Sequence, residues 1–207
     1  MNQESCHFNS RCDELLKYLL VKTAPVLYGV KPSILLRLNN CPKLKHVGHY
    51  QMFCRRQEEI LRQLRLDCRI MKRDENNIQI LFYQPRQLRE HLERSVHRRF
   101  LDRHGYLGCR DMESCLAELQ RRFVRSDFPH EIGIFLGYPL KDVAGYMYKC
   151  RDCVNIPRGL WRVFGNPEIS ARVMDRYRTA EELMRRTISR YADVNLFITH
   201  YHQACCL

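Results

Sequence analysis

Apolar positions in this chain recur at helical spacing along most of its length, and a few short stretches break that rhythm. Leu15, Leu16, Leu19 and Leu20 form one face of a first helix over about 12–23, started by Ser10 and Asp13 and closed by Ala24-Pro25. The segment from Pro25 to Pro32 reads as a turn or short helix. Ser33 then caps a brief helix carrying Ile34, Leu35, Leu36 and Leu38, before Asn39-Asn40-Cys41-Pro42 breaks the chain. Phe53, Ile60, Leu61 and Leu64 predict a second long helix over about 51–65, with arginines and glutamates on its other faces. Cys68 to Lys72 and Ile78 to Tyr83 flank the polar turn Asp74-Glu75-Asn76-Asn77, which suits a β-hairpin with the more buried strand second. Pro85 opens a helix in which Leu88, Leu92, Val96 and Phe100 fall four apart, stopped by Gly105. Asp111 caps the next, with Met112, Cys115, Leu116, Leu119 and Phe123 on its apolar face.

The run Ile132-Gly133-Ile134-Phe135-Leu136 has no polar position, which predicts a central strand buried on both faces. Gly137 ends it, and Pro139 opens a helix to about 148 that presents Leu140, Val143, Ala144 and Met147 to the core. Trp161-Arg162-Val163-Phe164 reads as a short strand. Asn166-Pro167 then supplies an N-cap and a first-turn proline, and no glycine or proline follows, so the helix is expected to run from 167 to beyond 190. The resulting expectation is an α/β protein of the mixed α+β kind, in which helices cover a small mixed sheet of three to five strands. Its domain spans 12–178, and 179–207 forms a helical C-terminal extension and tail.

Two stretches carry a resemblance. Phe128-Pro129-His130-Glu131-Ile132-Gly133-Ile134-Phe135-Leu136-Gly137-Tyr138-Pro139-Leu140-Lys141-Asp142-Val143 and Gly159-Leu160-Trp161-Arg162-Val163-Phe164-Gly165 resemble the signature of a bacterial family defined only as a domain of unknown function. The resemblance covers roughly 13–178. It implies a family known mainly from anaerobic Gram-positive bacteria, with no established activity. Relatives are often encoded near iron-uptake and flavodoxin genes, which implies a link to iron or redox physiology. In the family a cysteine commonly precedes an Ala-Pro-Thr-Leu-Ala-Gly-like stretch. Thr23 stands there in this chain, before Ala24-Pro25-Val26-Leu27-Tyr28-Gly29, and a cysteine-based reaction loses its nucleophile.

Composition narrows the picture. At 207 residues the chain suits one domain able to bury a core without staples. No apolar run approaches the roughly 20 residues of a membrane-spanning helix, and Met1 to His7 shows no basic segment followed by an apolar one, so a cytosolic, monomeric protein is expected. Eleven cysteines are an odd number, and reduced thiols are the expectation, with Cys54 and Cys115 as small buried hydrophobes on helices. The net charge of +12 would attract an anionic partner: nucleic acid, an acidic protein or an anionic membrane surface. The Walker, GxGxxG, HExxH and GxSxG signatures are absent, and the sequence points to no cofactor.

The candidate chemistry is sparse. His130 and Glu131 form the best titratable pair, in a cleft shared with Lys31, Tyr138 and Trp161; the plainer reading pins His130 at the Pro129 turn and pairs Glu131 with an arginine. Arginines cluster over 86–103, 121–125 and 172–190, and His97, Arg98 and Arg99 are the candidate anion site, against solvated helix faces. Cys150-Arg151-Asp152-Cys153 has a CxxC spacing but no second ligand pair nearby, and it follows a helix where a dithiol centre needs to precede one. His200, His202, Cys205 and Cys206 are metal-capable side chains near the C-terminus, and His46 and His49 with Cys41 and Cys54 form a weaker cluster. A binding protein without catalysis is the leading expectation, with a His130/Glu131 enzyme and a nucleic-acid binder as the alternatives.

Overall fold

In a computed structural model of the chain, which describes residues 3–39, 48–125 and 128–204, a three-stranded antiparallel sheet sets the architecture. Strands β1 (Ser33–Asn39), β2 (Asp67–Arg73) and β3 (Asn77–Tyr83) lie in the order β1-β3-β2. The central β3 is apolar almost throughout because helices cover both faces of the sheet, leaving no solvent side for polar residues to occupy. Ile78, Ile80 and Phe82 enter one core with Ile34, Leu36 and Leu38 of β1 and with helices α1 (Gln3–Leu27), α2 (His49–Leu64), α8 (Pro167–Ile188) and α9 (Val194–Ala204). Leu81 and Tyr83 enter a second core with α3 (Pro85–Leu92), α4 (Ser95–Leu101), α5 (Met112–Arg125), α6 (Ile132–Phe135) and α7 (Leu140–Met147). A two-stranded ribbon, β4 (Cys153–Val154) with β5 (Val163–Phe164), sits between α7 and α8 in the chain. The fold is a helix-rich mixed α+β domain, as the periodicity predicts.

The local signals that rest on capping chemistry hold. The hairpin turns on Asp74, whose Oδ1 accepts from the amides of Asn76 and Asn77 at 2.9 and 2.8 Å. Asp111 Oδ1 accepts from Ser114 N at 2.7 Å, and Asn166 Oδ1 from Glu168 N at 2.9 Å.

Several expectations are corrected. Residues 132–136 are not a central strand: β3 holds the centre of the sheet, paired on both edges by β1 and β2, and Ile132–Phe135 is one turn of helix. Ser33 does not cap a helix; it begins β1, pairing with Tyr83, and its hydroxyl donates to Phe135 O at 2.7 Å. The sheet is antiparallel, not mixed. The helix from Pro85 is split at Glu93–Arg94, which turns Val96 out to solvent, and it ends in a π-helical turn over Asp102–Tyr106. The last long helix stops at Ile188 and restarts as α9, where Asp193 Oδ1 accepts from Asn195 N at 2.9 Å. Met184, Ile188, Val194, Phe197 and Ile198, all after 178, belong to the first core. Among the cysteines, Cys115 is buried as expected and Cys54 is exposed, with the Arg73 guanidinium at 3.6 Å.

Candidate ligand-binding site

The end of α1 places the key side chain. Gly29 N donates to Val26 O at 3.0 Å and Val30 N to Pro25 O at 2.9 Å, which is a Schellman turn, and Gly29 supplies the left-handed residue it requires at φ +70°. Lys31 follows, its amide also on Pro25 O, and its side chain turns inward until the residue is only 8 % exposed. The Lys31 ammonium lies over two rings, 4.8 Å from the centroid of Tyr177 and 5.7 Å from that of Tyr138. Trp161 stacks on Tyr138 at 4.2 Å and 19°. Tyr177, buried on α8, donates its hydroxyl to Gly137 O at 2.9 Å. Gly137 has φ +73°, and a Cβ there would come within 2.5 Å of Pro32 and 2.9 Å of the Tyr177 oxygen, so the approach of the two loops needs glycine. Both signature stretches and the α1 terminus thus meet at Lys31.

Lys31, Gln87, His91, Arg94, Arg176 and Tyr177 line a cleft of about 300 Å³ beside this cluster. Among the described residues no carboxylate lies within ion-pair distance of Lys31; Glu181, whose field reaches it, is held by Lys22 at 2.9 Å. Burial lowers the Lys31 amine from 10.5 to about 8, with Glu181 partly opposing and Lys22 adding. His91 is pushed down to about 4 by burial, then by His97 and Arg94, so it is neutral at physiological pH while its Nε2 donates to Ile134 O at 2.9 Å. Arg94 and Arg176 are exposed and make no side-chain hydrogen bond or ion pair with the described residues. Glu90 at the rim is taken by Arg86 at 2.8 Å. The cleft is therefore cationic.

Asp142, buried in the signature run, organises the wall behind Trp161. It accepts from Ser170 Oγ at 2.6 Å, Lys141 Nζ at 2.7 Å, Trp161 Nε1 at 2.8 Å and Phe164 N at 2.9 Å. Burial pushes its carboxyl upward, but these four donors outweigh burial and hold it below its ordinary value. A second hollow of about 280 Å³ has Tyr138 and Trp161 in its lining, with Phe128, His130, Tyr146 and Arg162 among the others, whereas neither ring lines the Lys31 cleft.

His130 and Glu131 diverge. His130 is exposed and packs edge-on to Tyr146 at 4.7 Å, at the mouth of that hollow. Glu131 is buried on the other side, accepting from Arg122 at 2.8 Å and from Tyr106 at 3.2 Å, which is the arginine pairing of the plainer reading. His97 turns inward, its Nδ1 2.8 Å from His91 O, and Arg98 is engaged by Asp102 at 2.5 Å and by Tyr106 O at 2.8 Å. Only Arg99 of that trio is on the surface, bonded to Ser95 O at 3.2 Å. Cys150 and Cys153 are exposed and line a shallow hollow with His130, but no group of three metal-capable side chains converges among the described residues. His202 bonds Gln63 O at 2.9 Å, His200 packs on Tyr191, and His49 is buried against Tyr18. Cys41, His46, Cys205 and Cys206 lie outside the described residues. Thr23, at the position of the relatives' cysteine, is fully buried and donates to Leu19 O at 2.7 Å, away from the cleft.

Lys31, Tyr138 and Trp161 are the predicted cleft residues that come together. Tyr177 and His91 were not singled out by the sequence; the only available signal was a polar-tipped ring and an imidazole on otherwise apolar helix faces.

These features define a helix-rich domain with a cationic cleft that Lys31 and Tyr177 line together. The chain belongs to the family described as "Protein of unknown function (DUF3793)", whose model matches residues 19–199. No curated protein and no solved structure matches it.

Proposed function

We propose that this is a cytosolic binding protein whose ligand is a small anion held in the Lys31 cleft. The observation that carries the reading is a nearly buried lysine with no carboxylate partner among the described residues, facing a cavity that also receives Arg94 and Arg176. Burying an ammonium without a counter-charge is costly, and a carboxylate or phosphate entering the cleft would supply the missing partner. The cleft suits a small molecule: at about 300 Å³ it falls at the low end of ligand pockets. Divergence of His130 and Glu131 gives no support to an enzyme built on that pair, and the engagement of His97 and Arg98 within the fold gives none to a nucleic-acid site there. The link to iron or redox physiology rests on the family resemblance alone.

Calorimetric titration with inorganic pyrophosphate at about 0.15 M salt tests the proposal, with Lys31→Met and Arg176→Glu as variants. Each should weaken binding by about tenfold to a hundredfold, the equivalent of losing one charge-assisted hydrogen bond. Absence of binding to the native protein, or binding by both variants as tight as that of the native protein, would remove the cleft as the site.

A further inference from the structure

We infer that Lys31 holds its ligand covalently, as an imine between Nζ and a small carbonyl compound that also carries a carboxylate or phosphate; this inference rests on the anion-binding reading above. The placement supplies what such capture needs. Nζ lies over the Tyr177 and Tyr138 rings and has no carboxylate among the described residues to hold it protonated. Arg94 and Arg176 line the same cavity and are available to the anionic end of a short ligand, leaving its carbonyl carbon toward the lysine.

The electrostatics agree with the geometry. An amine titrating at about 8 is neutral roughly a quarter of the time at about pH 7.5, against about one part in a thousand for an exposed lysine. The groups facing it from the surrounding elements are Lys22, Glu181, Arg176 and Tyr177 from α1 and α8, Glu90, His91 and Arg94 from α3 and the residues after it, and Tyr138; Glu90 is taken by Arg86 at 2.8 Å. In the step itself, the Nζ lone pair forms a bond to the carbonyl carbon while the C=O π pair moves to oxygen, which takes a proton to give a carbinolamine. Loss of the hydroxyl and of the second amine proton then releases one water and leaves C=N. No electron is gained or lost from outside, so no oxidant or reductant is required for capture.

Trapping with cyanoborohydride, which reduces the imine to a stable secondary amine, reads the step directly. Full-length protein is incubated at about pH 7.5 with pyruvate in one arm and glycolaldehyde phosphate in the other, and adducts are located by peptide mass spectrometry. The expected result is labelling of Lys31 at least tenfold faster than of any exposed lysine, saturating with the probe and suppressed by pyrophosphate. The arm that saturates at the lower concentration identifies the anion. Lys31→Arg keeps a cation but has no amine able to form the imine, and should lose the fast adduct; a fast adduct that persists in this variant would overturn the assignment to Lys31. Pyrophosphate binding with Lys31 labelled no faster than exposed lysines would overturn the imine and leave the binding reading intact. Failure of both would overturn both.

Discussion

Lys31 is destabilising where it stands, and that is the clearest residue-scale consequence of the structure. Its amine titrates at about 8 in the fold against 10.5 in the unfolded chain. Below about pH 8 both states are protonated, and the fold carries the full penalty of a buried ammonium, on the order of 3 kcal/mol from 1.36 kcal/mol for each of about 2.5 pH units. Between about 8 and 10.5 the folded protein has released its proton and the unfolded chain has not, so the penalty shrinks as pH rises and is gone above that window. Lys31→Met should therefore be more stable than the native protein at pH 7 by about 1–3 kcal/mol, after allowing for the lost cation–π contacts, with the gap closing by about pH 10. Urea denaturation at the two pH values checks it, and a variant less stable at pH 7 would contradict the burial argument. A stabilising substitution in a cleft is what a residue retained for binding predicts.

At the scale of elements, α6 shows where sequence patterns lose resolution. An unbroken apolar run has no polar position to report a period of two or of 3.6, so a buried helical turn and a doubly covered strand look alike over five residues. The same ambiguity turned β1 into an expected helix, since Ile34, Leu35, Leu36 and Leu38 satisfy either spacing; backbone pairing with β3, a long-range fact, decided it. Where the signal was local chemistry, as at Asp74, Asp111 and Asn166, the elements begin as expected. The break before α9 had such a signal in Asp193, unmarked by glycine or proline. Either way, Ile134 of α6 is fully buried in the second core, where α6 packs on α3 and α7. Replacing it with Asp puts an unpaired charge in the second core at a cost of several kcal/mol, against a typical total of about 5–15. The variant should lose its cooperative thermal transition; retention of a native-like melt would show that this turn is not part of the core.

Across the whole molecule, the charge of +12 resolves into two populations. Many arginines are paired along their own helices, as Arg121 and Arg122 with Glu118, or Arg185 and Arg186 with Glu182, and the exposed pairs on Glu182 contribute little. The cleft is different because its cations come from separate elements and face a common cavity. Lys31, Tyr138 and Trp161 were legible as cleft candidates because two lie in the signature stretches and the third follows the α1 turn. Tyr177 and His91 were not, since only tertiary packing brings α8 and α3 beside them. The most direct test is the titration of lysine side-chain resonances by NMR, with and without pyrophosphate. Lys31 should titrate near 8 in the free protein and move upward toward the ordinary lysine value when the anion is bound, while exposed lysines stay near about 10.4 throughout. A Lys31 resonance that titrates with the exposed lysines and does not respond to pyrophosphate would contradict the account.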